Sequence, residues 1–135
     1  MLRVIICHTF EDVIIALEAA SELSVELALQ SAPDAIFYAG ALYLLHMYRH
    51  ACELFPQVRS RFIVDCADAG AEAIAAMQMG HRYIRSSAPD DIQQKLADIA
   101  KSYGASLESG PYEALDLRQA KDTKAASVEW LKGNL

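Results

Sequence analysis

The clearest indication of the fold comes from residues 61–87, with the sequence RFIVDCADAGAEAIAAMQMGHRYIRSS. Phe62, Ile63 and Val64 form a short apolar run that is typical of a strand covered on both faces. A run of small residues suited to a helix follows, and Gly80 is placed to end that helix in a left-handed cap. The stretch therefore predicts a strand, a helix and a second strand, each strand followed by polar residues.

The same alternation extends in both directions along the chain. Strands are predicted at residues 2–7, 25–29, 61–65, 81–85 and 105–109, and helices at residues 9–22, 41–55, 69–79 and 87–104. We expect residues 25–29 and 105–109 to be edge strands. Residues 34–39 fit either a third short strand or the entry to a long helix.

Strands that alternate with helices of this length indicate a parallel sheet built from right-handed crossovers. The sequence therefore predicts an α/β fold, a three-layer flavodoxin-like or Rossmann-like domain with a mainly parallel sheet of four or five strands. We expect this domain to cover residues 1–110. Residues 111–135 are predicted to be a helical extension that packs on the domain or on a neighbouring subunit.

The order of elements from Pro33 to Tyr103 resembles the second half of response-regulator receiver domains, with PDAIFYAG, a helix, Pro56, a strand, a helix and GHRYIRSSAPDDIQQKL. That family carries an acidic pair after its first strand, a phospho-acceptor Asp after its third and a Lys after its fifth. Here those places hold Cys7-His8, Tyr38-Ala39 and Arg85-Ser86. The resemblance therefore implies a receiver-like architecture without a phospho-acceptor pocket.

Amino-acid composition and net charge indicate which kinds of partner and which cellular compartment to expect. Hydrophobic residues make up 53% of the 135 residues, which favours a homodimer because one small core does not cover that much apolar surface. The formal charge of −6 argues against nucleic acid as a partner. No apolar segment reaches the length of a membrane span. Three cysteines without a CxxC pair, and an apolar strand directly after Met1, predict a cytoplasmic protein with free thiols.

The carboxyl ends of parallel strands converge at one edge of the sheet, and open α/β sheets bind ligands there. The chain places a set of polar and thiol residues after its predicted strands, and these are the candidate ligand-binding residues: Cys7, His8, Ser31, Asp65, Cys66, Arg85, Ser86 and Ser87. The alternative is that strand ends simply turn polar where they leave the core, with Thr9 and Ser87 acting as helix caps.

Within this set, the candidate catalytic residues are His8, Asp65 and Asp68. His8 could act as a general base, and one of the two aspartates could orient it. Catalysis by Cys7 or Cys66 is disfavoured because nearby carboxylates raise a thiol pKa. Arg85, Ser86 and the helix start at Ser87 would receive the negative group of an anionic or hydroxylated metabolite.

A weaker candidate for a metal site is the set His46, His50 and Glu53. Their spacings of four and three residues place all three on one helical face, and two imidazoles with a carboxylate suit Zn²⁺. No fourth ligand is identifiable, so a solvated helix face is the favoured interpretation. We expect neither a bound metal nor a cofactor.

Aromatic side chains concentrate around the third predicted helix and its approach: Phe37, Tyr38, Tyr43, Tyr48 and Phe55. Aromatic residues distributed around a helix cannot all face one sheet, which favours an interface or a pocket wall, and we favour the interface over core packing. The sequence thus predicts a binding module that takes a small anionic ligand or a protein partner. The alternative is a small enzyme with a His/Asp site.

Overall fold

The computed structural model describes residues 2–135, which form an α/β fold. Its strands are β1 (Val4–Cys7), β2 (Leu27–Ser31), β3 (Ser60–Asp65), β4 (Tyr83–Arg85), β5 (Ser106–Glu108) and β6 (Ala114–Asp116). Its α-helices are α1 (Phe10–Leu23), α2 (Ala35–Tyr38), α3 (Ala41–Leu54), α4 (Gly70–Met79), α5 (Asp90–Ser102) and α6 (Thr123–Leu131). The described residues also contain two 3-10 helices, Leu117–Gln119 and Lys132–Asn134.

The strands form one sheet in the order β5-β4-β3-β2-β1-β6. β1 pairs in parallel with β6, β3 with β4, and β4 with β5. The predicted class is therefore confirmed: a mostly parallel sheet flanked by helices, in agreement with the flavodoxin-like or Rossmann-like architecture. The predicted count of four or five strands was too low, because β6 was not recognised in the sequence.

The second strand differs from its prediction in both bounds and position. β2 covers Leu27–Ser31 and all five residues are buried, whereas the sequence indicated residues 25–29 at an edge. β2 lies between β3 and β1 in the sheet, so the edge prediction was wrong. Because Gln30 and Ser31 are polar, the sequence pattern predicts that the strand ends before them. Both side chains are buried and hydrogen-bonded, and these hydrogen bonds cannot be read from the local sequence.

Residues 34–39, for which strand and helix were both open, contain the short helix α2. Local backbone hydrogen bonds stabilise this helix: the Phe37 N–H donates to the Asp34 carbonyl, and the Ala39 N–H donates to the Ala35 carbonyl. Gly40 then adopts a positive φ of 83° before α3 begins. That backbone conformation suits glycine, and it separates the two helices.

Two compact units make up the chain. Within the described residues, unit 1 consists of residues 2–30, Met47–Arg61 and Tyr112–Leu135, and unit 2 consists of Ser31–His46 and Phe62–Pro111. The apolar centre of unit 1 includes the fully buried side chains of Ile5, Leu17, Leu29, Leu117 and Leu131. That of unit 2 includes Ile36, Val64, Met77, Ile84 and Leu96.

The C-terminal extension contributes to unit 1 through both a helix and a strand. The predicted helix is present as α6, which packs on α1. The Lys124 ammonium lies 2.8 Å from carboxylate oxygens of both Glu18 and Glu22 on α1. The extension also supplies β6, whose Ala114 and Asp116 pair in register with Val4 and Ile6.

Two of the three capping residues predicted from the sequence lie at helix ends in the structure. Thr9 caps α1 as predicted, because its Oγ1 accepts the Asp12 N–H at 3.1 Å. Gly80 ends α4 in the left-handed conformation, also as predicted. The predicted cap at Ser87 is wrong: the residue before α5 is Pro89, and no side chain caps that helix.

Among residues 2–135, no helix is both long enough and apolar enough to cross a membrane.

Candidate functional site

His8 lies at the carboxyl edge of unit 1, directly after β1. Its Nε2 is 2.6 Å from Oδ1 of Asp116, the last residue of β6. The parallel register explains this contact, because Asp116 is level with Ile6 and His8 follows two residues later, just beyond the end of β1. The His8 backbone N–H donates to Asp12 Oδ2 at 2.8 Å. His8 thus touches two carboxylates.

The other ring nitrogen of His8 has a different environment. The His8 side chain is 12% exposed, and its Nδ1 is buried without a hydrogen-bond partner among the described residues. The Asp116 carboxylate is held from a second direction, since its Oδ1 also accepts the Arg118 N–H at 3.0 Å. The imidazole is therefore fixed on one side and unsatisfied on the other.

Cys7 lies beside this pair but has little capacity for thiolate chemistry. Burial raises the pKa of the Cys7 thiol well above its usual value, and the charges of Asp12 and Asp116 raise it further. Its Sγ lies 3.8 Å from the Ile5 carbonyl oxygen. Cys7 therefore remains a thiol at neutral pH.

At the carboxyl edge of unit 2, Ser31 and Asp65 lie together. The Asp65 N–H donates to Ser31 Oγ at 2.9 Å, and Asp65 Oδ1 accepts the Ala67 N–H at 2.8 Å. Ala67 has a φ of 51°, a left-handed conformation that is uncommon outside glycine. Both side chains thus shape the turn after β3 through contacts with its backbone.

Asp65, Arg85 and Glu108 form a row across β3, β4 and β5 in register. Burial raises the pKa of the Asp65 carboxyl, while the Ala67 N–H and the Arg85 charge oppose this shift and the Asp34 charge adds to it. Arg85 also donates to the Gly110 carbonyl at 3.3 Å. Its positive charge is therefore placed between two carboxylate-bearing residues of its own sheet.

Ser86 and Ser87 make contacts that serve the fold. The Ser87 N–H donates to the Ala67 carbonyl at 2.8 Å, and Ser86 Oγ accepts the Ala88 N–H at 3.2 Å. The first turn of α5 carries Asp90 and Asp91. Negative charge at a helix start opposes an anionic ligand, so these contacts do not favour the expected anion site.

The remaining candidates beside β3 are Cys66 and Asp68. Burial raises the pKa of the Cys66 thiol to about 12, with further contributions from the charges of Asp65 and Glu72. Asp68 is exposed, whereas Asp65 is buried. The two aspartates after β3 thus differ in solvent access.

No group of three His, Cys, Asp or Glu side chains that could hold a metal ion exists within residues 2–135. The set His46, His50 and Glu53 is therefore not assembled as a metal site. His50 stacks on Phe10 with ring centroids 5.4 Å apart, and its Nδ1 is 3.9 Å from Glu53 Oε2 in an exposed pair.

The aromatic residues divide into exposed and half-buried groups. Phe37 is 55% exposed, Tyr38 71% and Tyr43 59%, and Leu42 beside them is 51% exposed. Tyr48 is half-buried, and its hydroxyl lies 2.7 Å from Ser60 Oγ. Phe55 is half-buried too. We call Phe37, Tyr38, Leu42 and Tyr43 the α2–α3 patch.

A groove of about 380 Å³ lies in unit 1, beside the amino ends of β2 and β3. Its lining includes Ser21, Ser24, Glu26, Gln57 and Arg59. None of the sequence candidates lies there, and it is at the opposite strand ends from His8.

Sequence reasoning missed Asp116 and Asp12 as partners of His8. Asp12 carried a usable signal, since a carboxylate in the first turn of α1 can reach back toward the residue before the cap. Asp116 carried none, because it is separated from His8 by 108 residues and ends a three-residue strand.

No known family model and no curated protein matches the chain. Among solved structures, 39 chains match. One is the crystal structure of a candidate fructose-1,6-biphosphate aldolase from Coccidioides immitis, with a TM-score of 0.68 and 18% sequence identity. The match covers 80% of this chain and 40% of that one, so this chain spans less than half the length of that protein. The likeness is one of fold.

Proposed function

We propose that this protein is an interaction module that associates with a second copy of itself through the α2–α3 patch. The observation that carries the proposal is the exposure of Phe37, Tyr38, Leu42 and Tyr43, each more than half accessible within seven residues of chain. Large apolar side chains that lie together at a surface are typical of interaction sites.

The size of the patch suits a reversible contact. An aromatic side chain offers on the order of 200 Å² of surface. At the exposures of Phe37, Tyr38 and Tyr43, the three rings leave on the order of 350 Å² accessible on one copy. Specific complexes bury about 800 Å² per partner. The patch can supply the apolar centre of such an interface, with neighbouring polar residues as its rim.

A second copy is the occupant that the chemistry of the patch favours. Its four side chains carry no charge, whereas the chain as a whole carries −6. Two copies can therefore meet at the patch without placing like charges in direct contact. The tyrosine hydroxyls can pair across a two-fold axis, and aromatic residues are enriched at interface centres. The hydrophobic content of 53% supports the same conclusion.

Tyr48 and Phe55, which the sequence grouped with the interface, are not part of the proposed surface. The Tyr48 hydroxyl contacts Ser60 within unit 1. Substitution of Tyr48 would therefore test the fold of that unit more than its association.

The decisive variant combines Tyr38→Ser with Tyr43→Ser, which removes two exposed rings and retains hydroxyl groups. We expect the dimer dissociation constant, measured by sedimentation velocity over a concentration series, to rise at least about tenfold, because tyrosines are enriched among the residues at interface centres whose loss costs about 2 kcal/mol or more. The matched control is Tyr103→Ser, since Tyr103 is 48% exposed at the end of α5. Tyr103→Ser should associate like the wild type.

Two results would contradict the proposal. One is a wild-type protein that stays monomeric at every concentration tested, which would leave the patch to a different partner protein. The other is a double variant that associates as strongly as the wild type.

We also propose that the protein is cytoplasmic, because its three cysteines are free and two of them are buried.

A catalytic role is the second proposal. The observation that favours it is the 2.6 Å contact of His8 with a carboxylate, although the partner is Asp116 and not the expected Asp65 or Asp68.

A further inference from the structure

The contact between His8 and Asp116 determines which ring nitrogen carries a proton. Asp116 Oδ1 accepts the Arg118 N–H and lies 2.6 Å from His8 Nε2. Two lone pairs facing each other at that distance would repel, so Nε2 must donate to the carboxylate. In the neutral imidazole, Nδ1 then holds the lone pair and is a hydrogen-bond acceptor.

Nδ1 lacks the partner that such an acceptor requires. It is shielded from solvent and has no hydrogen-bond partner within residues 2–135. Buried polar atoms in proteins are nearly always hydrogen-bonded, and each exception calls for an explanation, of which a catalytic role is one. An acceptor at the carboxyl edge of a parallel sheet is placed where ligands of such folds bind. The unsatisfied atom thus indicates a donor that residues 2–135 do not supply.

The charges around His8 restrict the kind of molecule that could supply this donor. Asp116 contacts the ring, and Asp12 accepts the backbone N–H of His8. The charges of both carboxylates also raise the pKa of the neighbouring Cys7 thiol, after the larger effect of its burial. A negatively charged ligand would be repelled, whereas a neutral or cationic one would be tolerated or attracted.

We propose that His8 and Asp116 form a proton-accepting site for a small molecule that presents an O–H or N–H group and carries no negative charge. His8 Nδ1 accepts the hydrogen bond and, in a reaction, the proton itself. The bonding electron pair then stays on the donor atom of the ligand. The resulting imidazolium keeps its Nε2–H bond to Asp116, whose charge stabilises it. Return of the proton regenerates the neutral ring.

In this proposal His8 is the base and Asp116 is a positioning residue, because Asp116 acts through the imidazole. The site is independent of self-association, since it uses no residue of the α2–α3 patch. A loss of dimerisation would leave it untouched, and its failure would leave the dimer proposal standing.

The first test is the tautomer of His8, measured by long-range ¹H–¹⁵N NMR at a pH where the ring is neutral, with His8→Gln to assign the signals. We expect a protonated Nε2 and an unprotonated Nδ1. Asp116→Asn should lower the population of that tautomer, whereas Asp91→Asn, an exposed change on α5, should leave it unchanged. A protonated Nδ1 in the wild type would overturn the proposal without any variant.

The second test uses small probes and the same resonances. Ethanolamine and glycerol offer donors without negative charge, and acetate is the anionic comparison. We expect at least one of the first two to shift the Nδ1 signal in a saturable manner, with affinity about tenfold lower in Asp116→Asn. Thermal unfolding of the variant verifies that it is folded. An absence of any saturable shift, an equal response to acetate, or unchanged affinity in Asp116→Asn would each refute the site.

Discussion

Burial governs the protonation of single residues at the carboxyl edge of unit 2. Asp65 is almost fully buried, and its carboxyl has the hydrogen bond from the Ala67 N–H and the charge of Arg85 to offset the loss of water. These interactions only partly compensate, so the pKa of Asp65 stays above its ordinary value. A buried carboxyl of this kind lowers stability at neutral pH.

We expect Asp65→Asn to raise the melting temperature at pH 7, because the amide keeps the Oδ1 acceptor and removes the charge. The folded pKa lies above the unfolded one, so the wild type is most stable when Asp65 is protonated. It loses stability as pH rises from the ordinary Asp value of about 3.9 through the folded pKa. The gain of the variant should therefore be largest at pH 7 and absent near pH 3.

Thermal unfolding of both proteins across this pH range measures the effect. Asp68→Asn is the control, since Asp68 is exposed three residues away and should show no such pH-dependent gain. A variant that is less stable than the wild type by the same amount at every pH would show that the Asp65 charge does not destabilise the folded protein.

At the scale of elements, the two ends of the chain hold each other in unit 1. The Trp130 Nε1–H on α6 donates to the Val4 carbonyl of β1 at 2.9 Å. The Arg3 guanidinium lies 4.4 Å from the Trp130 ring centroid and donates to the Trp130 carbonyl at 3.2 Å. The Arg3 N–H donates to Asn134 Oδ1 at 3.0 Å. One aromatic residue thus anchors the C-terminal helix to the first strand.

Trp130→Phe should lower the free energy of unfolding by about 1–2 kcal/mol, because it removes the indole hydrogen bond and weakens the cation–π contact. Urea unfolding measures this change. Lys132→Ala is the control on the same segment, since its ion pair with Glu129 is exposed and should contribute less than about 0.5 kcal/mol. Equal losses in the two variants would argue against the anchor.

The elements also show where local patterns succeed. Thr9 and Gly80 were identified as helix ends because a cap depends on the few residues around it. β6 was missed, since Ala114–Asp116 is too short to show alternation, and its pairing with β1 provides what its sequence lacks. The Ser87 cap failed because α5 begins after Pro89, two residues later.

For the whole molecule, net charge and the proposed contact between copies act against each other. Each chain carries −6, so two copies repel at a distance, while the α2–α3 patch contributes apolar area without charge. The balance depends on ionic strength, because salt screens the repulsion and leaves apolar burial largely intact.

Added salt should therefore strengthen the dimer. Raising the ionic strength from about 0.01 M to about 0.1 M shortens the screening length from about 30 Å to about 10 Å. We expect the dissociation constant to fall by about two- to fivefold over this range, measured by sedimentation velocity. Association that weakens with salt would mean that ion pairs, and not the uncharged patch, hold the copies together.

Local sequence patterns were enough to establish the α/β class, the order of most strands and helices, and the polar residues that follow the predicted strands. These features depend on periodicity, glycine and capping residues within a few positions of one another. The tertiary structure alone decided that β2 is internal, that β6 adds a sixth strand, and that Asp116 is the partner of His8. Strand pairing fixes these contacts, and it joins residues more than a hundred positions apart, such as Val4 and Ala114, that no local pattern connects.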